Sequence, residues 1–246
     1  MSKPLADRIA LVTGASRGIG AALALELAKA GAHVIAVART VGGLEELDDK
    51  IMAADGSATL VPLDLKDSEG IARLALAINE RFGKLDVMVG NAGVAGASSP
   101  LGHIEPKDWD NVLAVNVTAN WQLIRTMDPL LQRSDAGRVV FMTSGTAHNT
   151  RAYRGVYAMS KAALEAIART YANETTATKI RVNLFSPGPT RTKMRAYVMP
   201  GEDPMTLPTP EEVAREIVPL CLPNFTDTGK MYDFRNKALL SFRAPA

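Results

Sequence analysis

Tyr157 and Lys161 stand four positions apart in the stretch Gly155 to Ala177, whose apolar spacing predicts a helix, so both side chains project from one helical face. A phenol beside an ammonium is a proton donor. A free tyrosine titrates near 10, and bringing it near neutrality takes about 3 to 4 kcal/mol of preferential stabilisation of the phenolate, which a neighbouring positive charge can supply. Ser144 stands just past a predicted strand ending at Met142, where its hydroxyl can orient and polarise a carbonyl. The three residue types fit proton delivery to the alkoxide-like oxygen formed when hydride adds to a carbonyl, or the reverse. A bare Tyr-x-x-x-Lys also occurs on many helices as a half-buried tyrosine with a solvated lysine. The register with Ser144 and with a glycine turn near the amino terminus favours chemistry.

That turn is Thr13-Gly14-Ala15-Ser16-Arg17-Gly18-Ile19-Gly20, between a predicted strand and a predicted helix. Gly14 makes the turn, while Gly18 and Gly20 allow close approach and packing. Ser16, Arg17 and Ile19 present backbone amides at the start of the helix, where free N–H groups and the helix dipole favour a pyrophosphate. The spacing is G-x-x-x-G-x-G rather than G-x-G-x-x-G, and a tight strand-to-helix turn would use glycines too. Its place in the first βα unit points to a dinucleotide site.

At the end of the second predicted strand, an acid would hold the ribose hydroxyls of NAD and repel a 2'-phosphate. The sequence there is Val37-Ala38-Arg39-Thr40, with no acid before Glu45. Arg39 can offer a planar fork of donors to a phosphate, and Arg17 can face the same oxygens from the other side. Either arginine alone could be merely solvated; both together, with the acid missing, predict NADP(H) as cofactor.

On these motifs the chain resembles the short-chain dehydrogenase/reductase family, in particular its 3-oxoacyl-carrier-protein reductase-like and carbonyl reductase-like members. The resemblance extends to about Tyr232. It implies an adenine contact at Asp64 and Leu65, and a cofactor-binding turn at Asn91, Ala92 and Gly93, although Gly90 replaces an Asn often found there. It implies that Asn116 joins Ser144, Tyr157 and Lys161 in a catalytic tetrad, helping to position the lysine through water, and that Lys161 and Tyr157 also contact the nicotinamide ribose. Pro187, Gly188, Thr190 and Thr192 match the Pro-Gly segment whose threonine contacts the cofactor, with Thr192 the better fit by spacing. A homotetramer or homodimer packed through two long helices is implied as well.

These residues need a scaffold that brings distant turns to one edge. Short apolar runs alternate with helical patterns: strands at Arg8 to Thr13, His33 to Ala38, Ala58 to Pro62, Leu85 to Gly90, Arg138 to Met142 and Lys179 to Leu184, with a last one near Lys230 to Phe234. Helices are predicted at Gly18 to Ala30, Gly43 to Ala54, Asp67 to Phe82, Pro106 to Leu131, Gly155 to Ala177 and Pro210 to about Leu222. Runs such as Ile9-Ala10-Leu11-Val12 read as strands buried on both faces. The expected fold is a single-domain α/β Rossmann fold over 1–246, a doubly wound parallel β-sheet flanked by helices on both faces. Ser186 to Pro210 lacks helical periodicity and is expected to be a substrate lid, with Met194, Tyr197, Met199 and Met205 forming an adaptable apolar wall.

Composition limits the alternatives. Hydrophobic residues make up 47% and charged residues 22% of 246, with a net charge of +2 and no dense basic run, so no nucleic-acid partner is expected. A polar amino terminus and the lack of a long apolar run predict a cytoplasmic protein without a membrane partner. Cys221 is expected to be a core thiol; His33, His103 and His148 lack metal-ligand spacing, so no metal is expected, and His148 reads as an exposed loop residue. Trp109 and Trp121 are expected in the core or a subunit contact. The function read from these residues is NADP(H)-dependent hydride transfer to a small-molecule carbonyl or from the matching alcohol. A 3-oxoacyl thioester reductase and a non-catalytic NADPH-binding sensor or scaffold are the alternatives, and intact Tyr157 and Lys161 weigh against the second.

Overall fold

Strands and helices alternate along residues 3–242, the part of the chain described by the computed structural model; residues 1–2 and 243–246 of the expected domain lie outside the described residues. Eight strands form one sheet: β1 (Ile9–Thr13), β2 (His33–Ala38), β3 (Ser57–Pro62), β4 (Val87–Gly90), β5 (Arg138–Met142), β6 (Arg181–Ser186), β7 (Lys230–Asp233) and β8 (Ala238–Ser241). The order is β3-β2-β1-β4-β5-β6-β7-β8, parallel throughout except for β8, which pairs antiparallel with β7.

The apolar runs alternate between two cores because successive side chains of a strand point to opposite faces. Ala10 and Val12 of β1 join one face, with Leu23 and Leu27 of α1 (Gly18–Lys29), Leu44 and Ile51 of α2 (Val41–Met52), and Ile217 of the last helix. Ile9 and Leu11 join the other, with Ile71 and Ile78 of α3 (Ser68–Phe82) and residues of the two helical stretches that follow β4 and β5. Fully burying each large aliphatic side chain contributes about 1.5 to 3 kcal/mol, so a one-residue slip in any central strand would exchange the two faces at prohibitive cost.

The stretch expected as one helix, Pro106 to Leu131, is divided: α4 (Pro106–Leu113), a π-helical turn (Ala114–Thr118) and α5 (Ala119–Leu131). Periodicity across the join continues because every residue keeps right-handed helical backbone, and the widened turn is set by side-chain contacts remote in sequence. A short α6 (Thr146–Asn149) follows β5, then α7 (Gly155–Glu174). The expected lid is ordered rather than aperiodic, with α8 (Lys193–Val198) and a 3-10 turn (Pro204–Thr206). Six residues are too few for an apolar stripe to register. The final helix, α9 (Pro210–Cys221), begins with the expected Thr209 cap: Thr209 Oγ1 accepts from Glu212 N at 3.2 Å, and Glu212 Oε2 accepts from Thr209 N at 2.7 Å.

Cys221 is buried as expected, whereas Trp109 and Trp121 lie exposed on α4 and α5 rather than in the core. Among the described residues no helix is long and apolar enough to cross a membrane.

Candidate active site

The sheet order reverses direction between β1 and β4, and the loops leaving these strands splay apart to form a cleft of about 780 Å³ at their carboxyl ends. Thr13, buried at the end of β1, ties its two walls together: its hydroxyl donates to Val89 O at 3.2 Å and accepts from Asn91 N and Ala92 N, each at 3.0 Å. Asn91 Nδ2 donates back to Thr13 O at 2.8 Å. Asn91 thereby holds the glycine turn as well as lining the cleft.

Gly14 has φ +67°, and a Cβ on it would lie 2.9 Å from Asn91 Nδ2. A Cβ on Gly20 would fall inside van der Waals contact with Gly14 O and Asn91 Nδ2, so the first turn of α1 packs directly on the loop. Gly14, Ser16, Arg17, Gly18, Ile19 and Gly20 all line the cleft. The amino terminus of α1 has no side-chain cap, leaving its first amides to face whatever occupies the turn. A cradle where side chains cannot fit, under uncapped amides, suits a pyrophosphate.

Arg39 and Thr40 continue the wall beyond β2. Arg39 is 58% exposed and reaches Asp64 Oδ2 at 3.9 Å, a loose pair, while Asp64 Oδ1 accepts from Lys66 N at 3.0 Å. The Arg39 fork therefore stays available to an anion. Asp64 and Leu65, Asn91, Ala92 and Gly93 also line the cleft.

On the opposite wall, Tyr157 and Lys161 share the inner face of α7, with Lys161 Nζ 5.8 Å from the Tyr157 ring centroid. Lys161 is buried and donates to Met142 O at 2.7 Å. Burial lowers its pKa to about 8, against the pull of the Glu165 carboxylate, which raises it. The Tyr157 phenol is pushed up by burial and drawn down by a hydrogen bond from Ser144 and by the positive charge of Arg154. The expected relief by Lys161 is not among these influences. Burial outweighs them, and the ammonium is turned toward the end of β5. Ser144 Oγ also lies within hydrogen-bond distance of Thr146 Oγ1, at 3.1 Å, and accepts from Thr146 N at 3.2 Å, which fixes it at the start of α6.

Asn116 lies fully buried in the π turn between α4 and α5. Its Oδ1 accepts from Val94 N at 2.8 Å, and its Nδ2 donates to Val94 O at 2.9 Å and to Ser160 Oγ at 3.0 Å. The side chain thus holds the loop that follows Gly93. A π turn at this position turns the amide toward Val94, out of the usual helical register.

The family model described as short chain dehydrogenase matches residues 8–203. The chain belongs to this family. As a short chain dehydrogenase it is an oxidoreductase acting between CH–OH and C=O groups with a nicotinamide cofactor. It is 39% identical over 212 residues to the uncharacterised oxidoreductase YciK of Escherichia coli K12, covering 85% of this chain and 84% of that protein. It is 36% identical over 210 residues to the rhamnolipids biosynthesis 3-oxoacyl-[acyl-carrier-protein] reductase of Pseudomonas aeruginosa, covering 82% and 80%. Among solved structures, a short chain dehydrogenase from Escherichia coli CFT073 complexed with NADPH superposes with a TM-score of 0.88 at 37% identity, covering 95% of this chain and 98% of that one.

In this dehydrogenase the segment after β6 contributes unevenly. Pro187 and Thr192 line the cleft, and Thr192 caps α8 by accepting from Arg195 N at 3.1 Å. Gly188 and Thr190 do not line it; Thr190 is buried and donates to Gly188 O at 3.4 Å, closing the turn that aims Thr192. Met194 and Tyr197 face the cleft, but Met199 and Met205 are exposed away from it, because Val198 ends α8 and the chain turns off. Arg154 Nη2 donates to Val198 O at 2.7 Å, tying α8 to the residue before α7. Two lid arginines are engaged within the lid itself: Arg195 pairs with Glu202, and Arg191 donates to Pro204 O at 2.8 Å and Leu207 O at 3.2 Å.

Four residues that organise the site are absent from the sequence-based set. Thr13 shows only as the first letter of the glycine motif, and Thr143, Arg154 and Glu165 have no motif at all. His148, expected as a plain loop residue, lies on α6 with Nε2 3.1 Å from Glu165 Oε2. Gly90 has a physical reason: a Cβ there would overlap Asn120 Oδ1 and the Phe141 ring, which leaves no room for an asparagine.

Proposed function

We propose that this short chain dehydrogenase is an NADPH-dependent carbonyl reductase, with Tyr157 as the proton donor. The observation that carries the reading is the placement of Tyr157 and Lys161 on one wall of a cleft whose other wall is the uncapped glycine turn. When bound, the nicotinamide supplies and accepts hydride; the chain's own residues do the rest. The turn from Gly14 to Gly20 holds the pyrophosphate, and Arg39 with Arg17 pairs the 2'-phosphate. Lys161 keeps its ammonium beside the Tyr157 ring and holds the nicotinamide ribose, Ser144 orients the substrate oxygen, and Tyr157 passes its proton to that oxygen or takes it back. Asn116 acts by holding the Val94 segment, and residues 186–210 cover the substrate through Met194 and Tyr197.

The substrate is a small-molecule ketone or aldehyde. Likeness to the Pseudomonas reductase makes a 3-oxoacyl thioester the first candidate. Intact Tyr157 and Lys161 argue against a purely binding role. The exposed Trp121 of α5 supports pairing of subunits through α5 and α7 as a homodimer or homotetramer, and a lone buried thiol suits the cytoplasm. The test is oxidation of NADPH, followed by absorbance, over aromatic aldehydes, small ketones and 3-oxoacyl thioesters. Turnover with any one supports the reading, and NADPH binding without turnover on all of them opposes it.

A further inference from the structure

Glu165 lies one helical turn beyond Lys161 on α7, is 5% exposed, and has no part in the chemistry above. Two other elements engage its carboxylate. Oε1 accepts from Thr143 Oγ1 at 2.5 Å, at the end of β5, and Oε2 lies 3.1 Å from His148 Nε2 on α6. Thr143 stands in the chain between Met142, whose carbonyl receives the Lys161 ammonium, and Ser144. One carboxylate therefore reaches both the strand end that seats Lys161 and the short helix that fixes Ser144.

The electrostatics give this cluster a purpose. An ammonium buried without a counter-charge tends to lose its proton. Tyr157 and Glu165 face Lys161 from α7, His148 approaches through Glu165 from α6, and Arg154 adds positive charge from the turn before α7. Gly93, packed against it from the other wall, carries no charge, and neither does Asn116 beside Gly93. Glu165 is the negative charge of this set. His148, with its side chain 51% exposed, connects the buried carboxylate to solvent.

We propose that Glu165, held by Thr143 and His148, is a positioning residue that keeps Lys161 protonated and seated at the end of β5. The proposal rests on the reading of Lys161 as partner of the proton donor, but it is tested without turnover. Lysines of the full-length protein carrying ¹³C at Cε would be titrated by NMR without added nucleotide, with Lys161 assigned from Lys161→Arg. Glu165→Gln keeps the shape and removes the charge, so the Lys161 midpoint should fall by about one pH unit or more. Glu165→Asp keeps the charge and shortens the arm, so most of the wild-type midpoint should be retained.

A midpoint unmoved in Glu165→Gln, or lowered equally in both variants, overturns the proposal. Should Glu165→Gln fail to fold, His148→Lys at the exposed end sets a permanent cation against the carboxylate. The midpoint should then fall, and an unmoved one is again contrary. Activity retained in Lys161→Arg or Tyr157→Phe would defeat the proposed function while leaving the NMR result to decide the role of Glu165.

Discussion

Lys161 Nζ donates to the main-chain oxygen of Met142 at 2.7 Å, so the ammonium of α7 is tied to the last residue of β5. Burial there brings its pKa from 10.5 to about 8. The protonated form, the ammonium that the proposed reaction uses beside Tyr157, is present below that value and lost as pH rises through it. Carbonyl reduction should decline above about pH 8 with a single-proton limb. A kcat/KM profile flat to pH 10 would contradict this.

Tyr157→Phe removes the donated proton and leaves the ring in place. Loss of a positioned acid costs about 10²- to 10⁴-fold, so kcat should fall by that range while the Kd for NADPH, measured by fluorescence titration, stays within about threefold of wild type. Near-normal kcat would remove Tyr157 from the reaction.

Arg39→Ala should weaken NADPH selectively. A hydrogen bond to a charged group is worth about 1.5 to 3 kcal/mol, so KM for NADPH should rise about 10- to 100-fold, with KM for NADH little changed. An equal effect on both cofactors would show that Arg39 does not reach the 2'-phosphate.

Gly20→Ala places a methyl group against Gly14 O and Asn91 Nδ2, neither of which can retreat without opening the turn. Overpacking of this kind costs about 1 to 3 kcal/mol. A lowered Tm together with loss of NADPH binding is expected, and a variant with both intact would mean that the loop yields easily.

Cys221 is buried, and burial raises its thiol to about 12. An aromatic disulfide reagent at pH 8 should leave the native protein unlabelled and label it on unfolding in guanidinium. Rapid labelling of the native state would place the thiol outside the core.

The strands and their sheet type were legible because parallel strands buried on both faces read as continuous apolar runs, as in Ile9 to Val12 and Val34 to Val37. The lid helix Lys193–Val198 was not, since a six-residue helix stabilised by the Thr192 cap and by Arg154 has no periodic signature. Strand β8 was missed for a related reason: Leu239 and Leu240 are exposed at a sheet edge, where no buried face imposes alternation.

By itself the sequence determined the local pieces: the glycine turn, the Tyr157 and Lys161 pair one helical turn apart, the missing acid beside Arg39, and the order of strands and helices. Each rests on residue types within a few positions of one another, which backbone geometry alone brings together. Tertiary structure decided what distant residues do to those pieces. Thr13 joins β1 to the β4 loop, the π turn aims Asn116 at Val94, and Thr143 and His148 converge on Glu165 behind Lys161. Such pairings join positions up to about 80 residues apart; their energy depends on burial and orientation, and both exist only once the two faces of the sheet have packed.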